Sequence, residues 1–123
     1  MNRSRPKNLN LLTIRFPLPA IISILHRVSG VILFLLIPIA LWGLSFTLTP
    51  DGFDAFQDAY DSFFVKAVLW VMLVPFCYHL VAGIRHLLSD IHIGDTLKAG
   101  RASARFALLA ALILIILAGV WIW

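Results

Sequence analysis

The chain has 123 residues, of which 61 % are hydrophobic and only 13 % charged, with a mean hydropathy of +0.95. About a quarter of the residues of a soluble globule are charged, so this composition excludes an ordinary soluble domain and describes one built for lipid. The net charge of +4 is compatible with nucleic acid or with an anionic membrane surface, but the apolar runs beside the basic residues select the membrane and leave no nucleic-acid partner.

Along the chain, the first twenty residues carry Arg3, Arg5, Lys7 and Arg15 but no apolar core of a signal peptide, so the N-terminus is expected to be retained. Residues 28–50 contain no ionisable group, residues 67–84 only His79 among charged types and histidines, and residues 106–123 none. Each stretch has at least 18 residues without a formal charge. That is roughly 27 Å of helix, close to the thickness of the hydrocarbon layer. Backbone groups in lipid must be satisfied within the segment, which rules out isolated strands. Adding flanking turns predicts helices at 20–48, 62–91 and 104–123. The expected fold is an all-α integral membrane protein with three transmembrane helices in one membrane-anchor domain spanning 1–123. Pro38 and Pro75 fall inside spans and are expected to bend them. The lone Cys77 has no partner for a disulfide in this chain and reads as a small packed hydrophobe.

Charge sets the orientation. The loop between the first two spans holds Asp51, Asp54, Asp58 and Asp61 with no basic residue, and Lys66 lies just beyond. Arg27 sits just inside the first span, and Arg85, Lys98, Arg101 and Arg105 flank the second loop, so nine of ten basic residues fall on one side. The positive-inside rule makes that side cytoplasmic, placing the N-terminus inside and the C-terminus outside. Trp42, Trp70, Trp121 and Trp123 all map to the opposite half, as an interfacial aromatic belt would.

The informative residues are those that lipid penalises. Ser23, His26, Arg27 and Gly30 open the first span at i, i+3, i+4 and i+7, on one face of a helix. His79, Gly83, His86 and Asp90 form a second stripe. Antiparallel spans bring both stripes to the cytoplasmic face. By the helical rise His79 is the deepest, about 16 Å from Asp90, with His26 and His86 shallower and level with each other. Neutral imidazole is a common haem ligand, and Ala82 and Gly83 on the next turn leave room for a flat macrocycle. Counting depths puts the first-span residue level with His79 near Phe34, where no histidine occurs. A second axial histidine is therefore expected from another polypeptide. Arg27, His26 and His86 are placed to neutralise haem propionates. Plainer roles stand beside these: Arg27 as a snorkelling anchor, Ser23 as a helix N-cap, His86 as an interfacial residue, His92 as a loop residue, and His79 as the donor of a structural interhelical hydrogen bond.

Two motifs carry a family resemblance. Arg5-Pro6, Leu9-Asn10-Leu11 and Thr13-Ile14-Arg15-Phe16-Pro17 lead into Ser23-Ile24-Leu25-His26-Arg27-Val28-Ser29-Gly30, and Tyr78-His79 precedes Gly83-Ile84-Arg85-His86-Leu87 and Asp90. Together they resemble the cytochrome b membrane anchors of succinate dehydrogenase, bacterial complex II, over nearly the whole chain. The resemblance implies a second small membrane-anchor subunit as partner, with an iron–sulfur subunit and a flavoprotein subunit docked on the cytoplasmic face of the bacterial inner membrane. FAD and iron–sulfur clusters would reside in those partners only, and electrons from succinate would pass to ubiquinone. It implies haem b shared with the partner anchor, with His79 as the axial ligand from this chain. Ser23 and Arg27 match quinone-binding positions, and His26 and His86 match positions near the haem propionates and quinone pocket. The chain itself has no flavin motif and no cysteine set for a cluster, so no complete active site is expected in it. A fumarate reductase anchor working with menaquinol and a purely structural anchor remain the rival readings.

Overall fold

The computed structural model describes residues 13–94 and 96–123. Arg3, Arg5, Lys7 and the Leu9-Asn10-Leu11 stretch of the first motif lie outside the described residues, as does Asp95. Four helices follow in order: α1 (Leu18–Thr47), α2 (Pro50–Tyr60), α3 (Phe63–Asp90) and α4 (Leu97–Ile122). Of these, α1, α3 and α4 have 30, 28 and 26 residues and are long and apolar enough to cross a membrane. They correspond to about 45, 42 and 39 Å of helix. The protein is an all-α, multi-pass membrane chain.

Local chemistry explains where the helices start. Pro17 precedes α1, and a further proline lies in its first turn, where a missing N–H costs nothing. Thr49 caps α2 by accepting a hydrogen bond from the Gly52 amide at 3.2 Å, with Pro50 as the first helical residue and Asp51 in the first turn. Thr96 caps α4 in the same way, accepting from the Ala99 amide at 3.2 Å. The expected third span at 104–123 therefore begins earlier, at Leu97, and carries Lys98, Arg101 and Arg105 on the helix itself. The acidic stretch between the first two spans is also a helix, α2, and not a loop. At its corner, a Cβ on buried Gly52 would collide with the Phe46 carbonyl, so only glycine fits.

Helix α3 packs against both neighbours, and α1 and α4 touch less. The three meet at Ile22, Ala82 and Ala104, all essentially inaccessible, with Leu18 and Tyr78 packed around them. Tyr78 donates its hydroxyl to the Ile22 carbonyl at 3.0 Å, pinning α3 to α1. Ala104, Ala107 and Ala111 continue the buried seam on α4. Small residues at this spacing let backbones approach closely, which is how helices associate when lipid supplies no hydrophobic drive. Cys77 is buried in α3, packed as a small hydrophobe.

At the opposite end the aromatic residues tie the helices together. Trp70 donates its indole N–H to the Ile115 carbonyl at 2.9 Å and lies over Gly119, where a Cβ would stand 3.1 Å from its nitrogen. Trp123 packs against Trp70 and Phe63. Tyr60 of α2 donates to the Ile122 carbonyl at 3.2 Å, satisfying one of the free acceptors at the end of α4. The Lys66 ammonium sits 5.2 Å from the Tyr60 ring centroid, a cation–π contact.

Candidate functional site

The polar stripes of α1 and α3 meet at the basic end of the bundle, and the histidines dominate the contact. The rings of His26 and His79 stack with centroids 4.1 Å apart and planes 20° from parallel. The His86 ring tilts against His26 at 5.0 Å. The arrangement is not a cage for a bare metal ion: among the described residues no group of three or more His, Cys, Asp or Glu is placed to hold one.

His79 is held from α1 by polar atoms. Its Nδ1 lies 3.0 Å from the Ser29 hydroxyl and 3.1 Å from the His26 carbonyl. The Ser29 hydroxyl in turn donates to the same carbonyl at 2.8 Å. The interhelical hydrogen bond considered as a plain role for His79 is therefore made, and it uses one ring nitrogen. Ser29 is only 4 % exposed and is the one buried polar side chain among the described residues. Gly30 leaves the space the ring needs, since a Cβ there would stand 3.1 Å from His79 Cε1.

These contacts correct the depth count. His79 lies level with Ser29 and Gly30, not with Phe34. It stands eleven residues before the end of α3, and Ser29 eleven after the start of α1, so the two match once the true helix ends are known. The small residues after His79 are also not open space. Ala82 is in the core against Ile22 and Ala104, and Gly83 gives room to His26, whose Nε2 would stand 3.2 Å from a Cβ there.

The remaining candidates separate by exposure. Ile22, His26, Ser29 and Gly30 of α1 touch α3, whereas Ser23 is half-buried and Arg27 is exposed. Ser23 lies inside α1, whose N-cap is Pro17, so it is not a cap. The Nε2 atoms of His26 and His86 are buried without a hydrogen-bond partner among the described residues. Asp90 is exposed at the end of α3. His92 is exposed in the α3–α4 turn with φ 61°, a left-handed conformation that histidine tolerates better than most side chains. Two contacts went unread in the sequence. One is Ser29, visible there only as a motif position. The other is Arg85, which donates from Nε to the Ser103 hydroxyl at 3.2 Å and from a terminal nitrogen to the Gly100 carbonyl at 3.3 Å, joining α3 to α4.

A three-span helical bundle with a half-buried histidine cluster at its basic end defines a multi-pass membrane anchor with a polar site between its helices. Residues 1–118 match the family described as succinate dehydrogenase/fumarate reductase transmembrane subunit, and the chain belongs to that family. It is 41 % identical over 125 residues to the succinate dehydrogenase cytochrome b556 subunit of Coxiella burnetii, covering 100 % of both chains. It is 30 % identical to the protein of the same name from Paracoccus denitrificans, across 93 % of this chain and 88 % of that one. The Rickettsia prowazekii protein of that name is 33 % identical over 77 % of this chain and 74 % of its own length. The chain is thus similar to the cytochrome b anchors of succinate dehydrogenase.

Proposed function

We propose that this chain is the cytochrome b membrane anchor of a bacterial succinate:ubiquinone oxidoreductase, supplying one axial histidine to haem b and part of the ubiquinone site. The observation that carries the reading is the convergence of His26, His79 and His86 in one cluster, with two buried ring nitrogens lacking partners among the described residues. An orphaned buried polar atom costs about 1–3 kcal/mol, so the site calls for a polar ligand. In this reading His26 and His86 would hold the carboxylates of haem side chains, and exposed Arg27, the residue after His26, would add a positive charge. The residues present fit the group.

In this reading His79 is the iron ligand. His26 does not serve as the opposite ligand, because rings stacked 4.1 Å apart leave no space for a macrocycle between them. The second histidine comes from the partner membrane anchor. When bound, the haem supplies a one-electron redox centre inside the membrane. Ser23 and Arg27 act on the quinone: the hydroxyl and guanidinium are hydrogen-bond donors for its carbonyl, and the guanidinium stabilises negative charge developing on that oxygen. FAD and iron–sulfur clusters, held by the flavoprotein and iron–sulfur subunits, would supply the electrons taken from succinate. The chain lies in the inner membrane with its N-terminus cytoplasmic and C-terminus periplasmic, supported by nine of ten basic residues on one side. The relatives carry succinate dehydrogenase in their names, which favours succinate oxidation over fumarate reduction with menaquinol.

The test is a reduced-minus-oxidised spectrum of the purified complex, with and without His79→Leu. The substitution keeps the span apolar while removing the ligand, so the b-type bands weaken, shift or vanish. An unchanged low-spin spectrum would sink the assignment, and a colourless wild-type complex would leave a purely structural anchor.

A further inference from the structure

We infer that Ser29 is a positioning residue that, together with the His26 carbonyl, holds the His79 proton on Nδ1 and thereby helps set its strength as an iron ligand; the inference rests on the proposed role of His79. The chemistry follows from three contacts that close a triangle. A carbonyl only accepts, so the 3.1 Å contact between Nδ1 and the His26 carbonyl requires the proton to be on Nδ1. The Ser29 hydroxyl gives its own proton to the same carbonyl at 2.8 Å, which leaves its lone pairs facing Nδ1 at 3.0 Å. Nδ1–H therefore meets two acceptors. The reverse tautomer would set a ring lone pair against the carbonyl oxygen. With the proton on Nδ1, the lone pair is on Nε2, where a metal bond needs it.

Acceptors on Nδ1–H do more than select the tautomer. They orient the ring and raise the basicity of the opposite nitrogen, which strengthens a ligand bond most in the more positive oxidation state of the metal. The surroundings make this contact rigid. Ser29 is almost fully buried, its backbone is within the first half of α1, and Gly30 seats the His79 ring against that turn. A hydroxyl buried between helices in lipid is costly without a partner, and here both its donor and acceptor capacities are used.

The experiment uses the assembled complex with this chain carrying Ser29→Ala, Ser29→Thr or Ser29→Cys, normalised to the amount of this chain. Potentiometric titration of the haem absorbance and electron paramagnetic resonance of the oxidised haem are the readouts. Ser29→Ala removes one of two acceptors, so the preference of the site for ferric over ferrous iron should fall three- to ten-fold. That is a rise in midpoint potential of about 30–60 mV for one electron. The low-spin g-values shift with it, and Ser29→Thr, which keeps the hydroxyl, restores both. If the alanine variant does not assemble, Ser29→Cys keeps the size with a weaker acceptor and should show a rise in the same direction. Midpoint and g-values equal to wild type in the assembled alanine or cysteine variant overturn the inference. Failure of the underlying assignment looks different: His79→Leu would then retain the wild-type haem spectrum, whatever Ser29 does.

Discussion

Arg27 and His79 illustrate two different fates for an ionisable residue in a span. Both are costly in lipid, yet Arg27 is exposed on the surface of this chain while His79 is tied to α1 through Ser29 and the His26 carbonyl. Exposure alone is what snorkelling would produce, so function at Arg27 has to be tested against that plainer role. If Ser23 and Arg27 hold the quinone carbonyl, Arg27→Leu and Ser23→Ala each slow quinone reduction. A lost hydrogen bond to a charged group is worth about 1.5–3 kcal/mol, roughly one to two decades in binding. Succinate oxidation measured with an artificial acceptor that takes electrons ahead of the quinone is expected to survive in the same preparations. Normal quinone reduction in both assembled variants would leave Arg27 as an interfacial anchor. At this scale the sequence exposed the histidines readily, because a histidine in an uncharged run has no solvent. It did not reveal Ser29, since a serine carries no such penalty signal, and only packing shows which hydroxyl meets the imidazole.

The helices as elements were legible wherever hydropathy defined them and misjudged wherever caps did. The third span was expected to begin beyond the last basic residues, because charge was used as the boundary. The helix instead starts at the Thr96 cap, and its first turns hold Lys98, Arg101 and Arg105. Similarly, Thr49, Pro50 and Asp51 spell a helix start, but four aspartates concealed it as a loop. The longer α4 has a consequence, since its early turns are what Arg85 grips. Arg85→Leu removes two charge-assisted hydrogen bonds to Ser103 and Gly100. The joint between α3 and α4 should weaken by about 1.5–3 kcal/mol, seen as a lower midpoint of thermal dissociation for the complex in detergent. Arg85→Lys should recover only part of it, because an ammonium lacks the planar fork that reaches a hydroxyl and a carbonyl together. Equal stability of the leucine variant would show that the alanine seam alone holds the two helices.

For the molecule as a whole, packing within the chain covers little of its apolar surface. Phe34 is 72 % exposed and Trp42 73 %, and the buried core among the described residues is confined to small side chains, Ile22 and Ile122. Such a surface is satisfied by lipid and by partner helices, which is why the fold class followed from composition while the covering partners did not. What composition adds is direction. Arg27, Arg85, Lys98, Arg101 and Arg105 gather at the histidine end, whereas Trp70, Trp123, Tyr60, Lys66 and the acidic α2 gather at the other. If the basic end is cytoplasmic, a phosphatase reporter that is active only outside should be active when fused after Trp123. The same reporter fused at Gly94, in the turn between α3 and α4, should be silent, and a fluorescent protein that matures only inside should give the opposite pattern. The turn is the better inner fusion point than Lys98, because Lys98 already belongs to α4. Activity at Gly94 with silence after Trp123 would invert the topology. It would then place the histidine stack, Ser23 and Arg27 on the far side of the membrane from a cytoplasmic electron donor. The proposed route from succinate to quinone at this site would then fail with it, even if the haem itself were present.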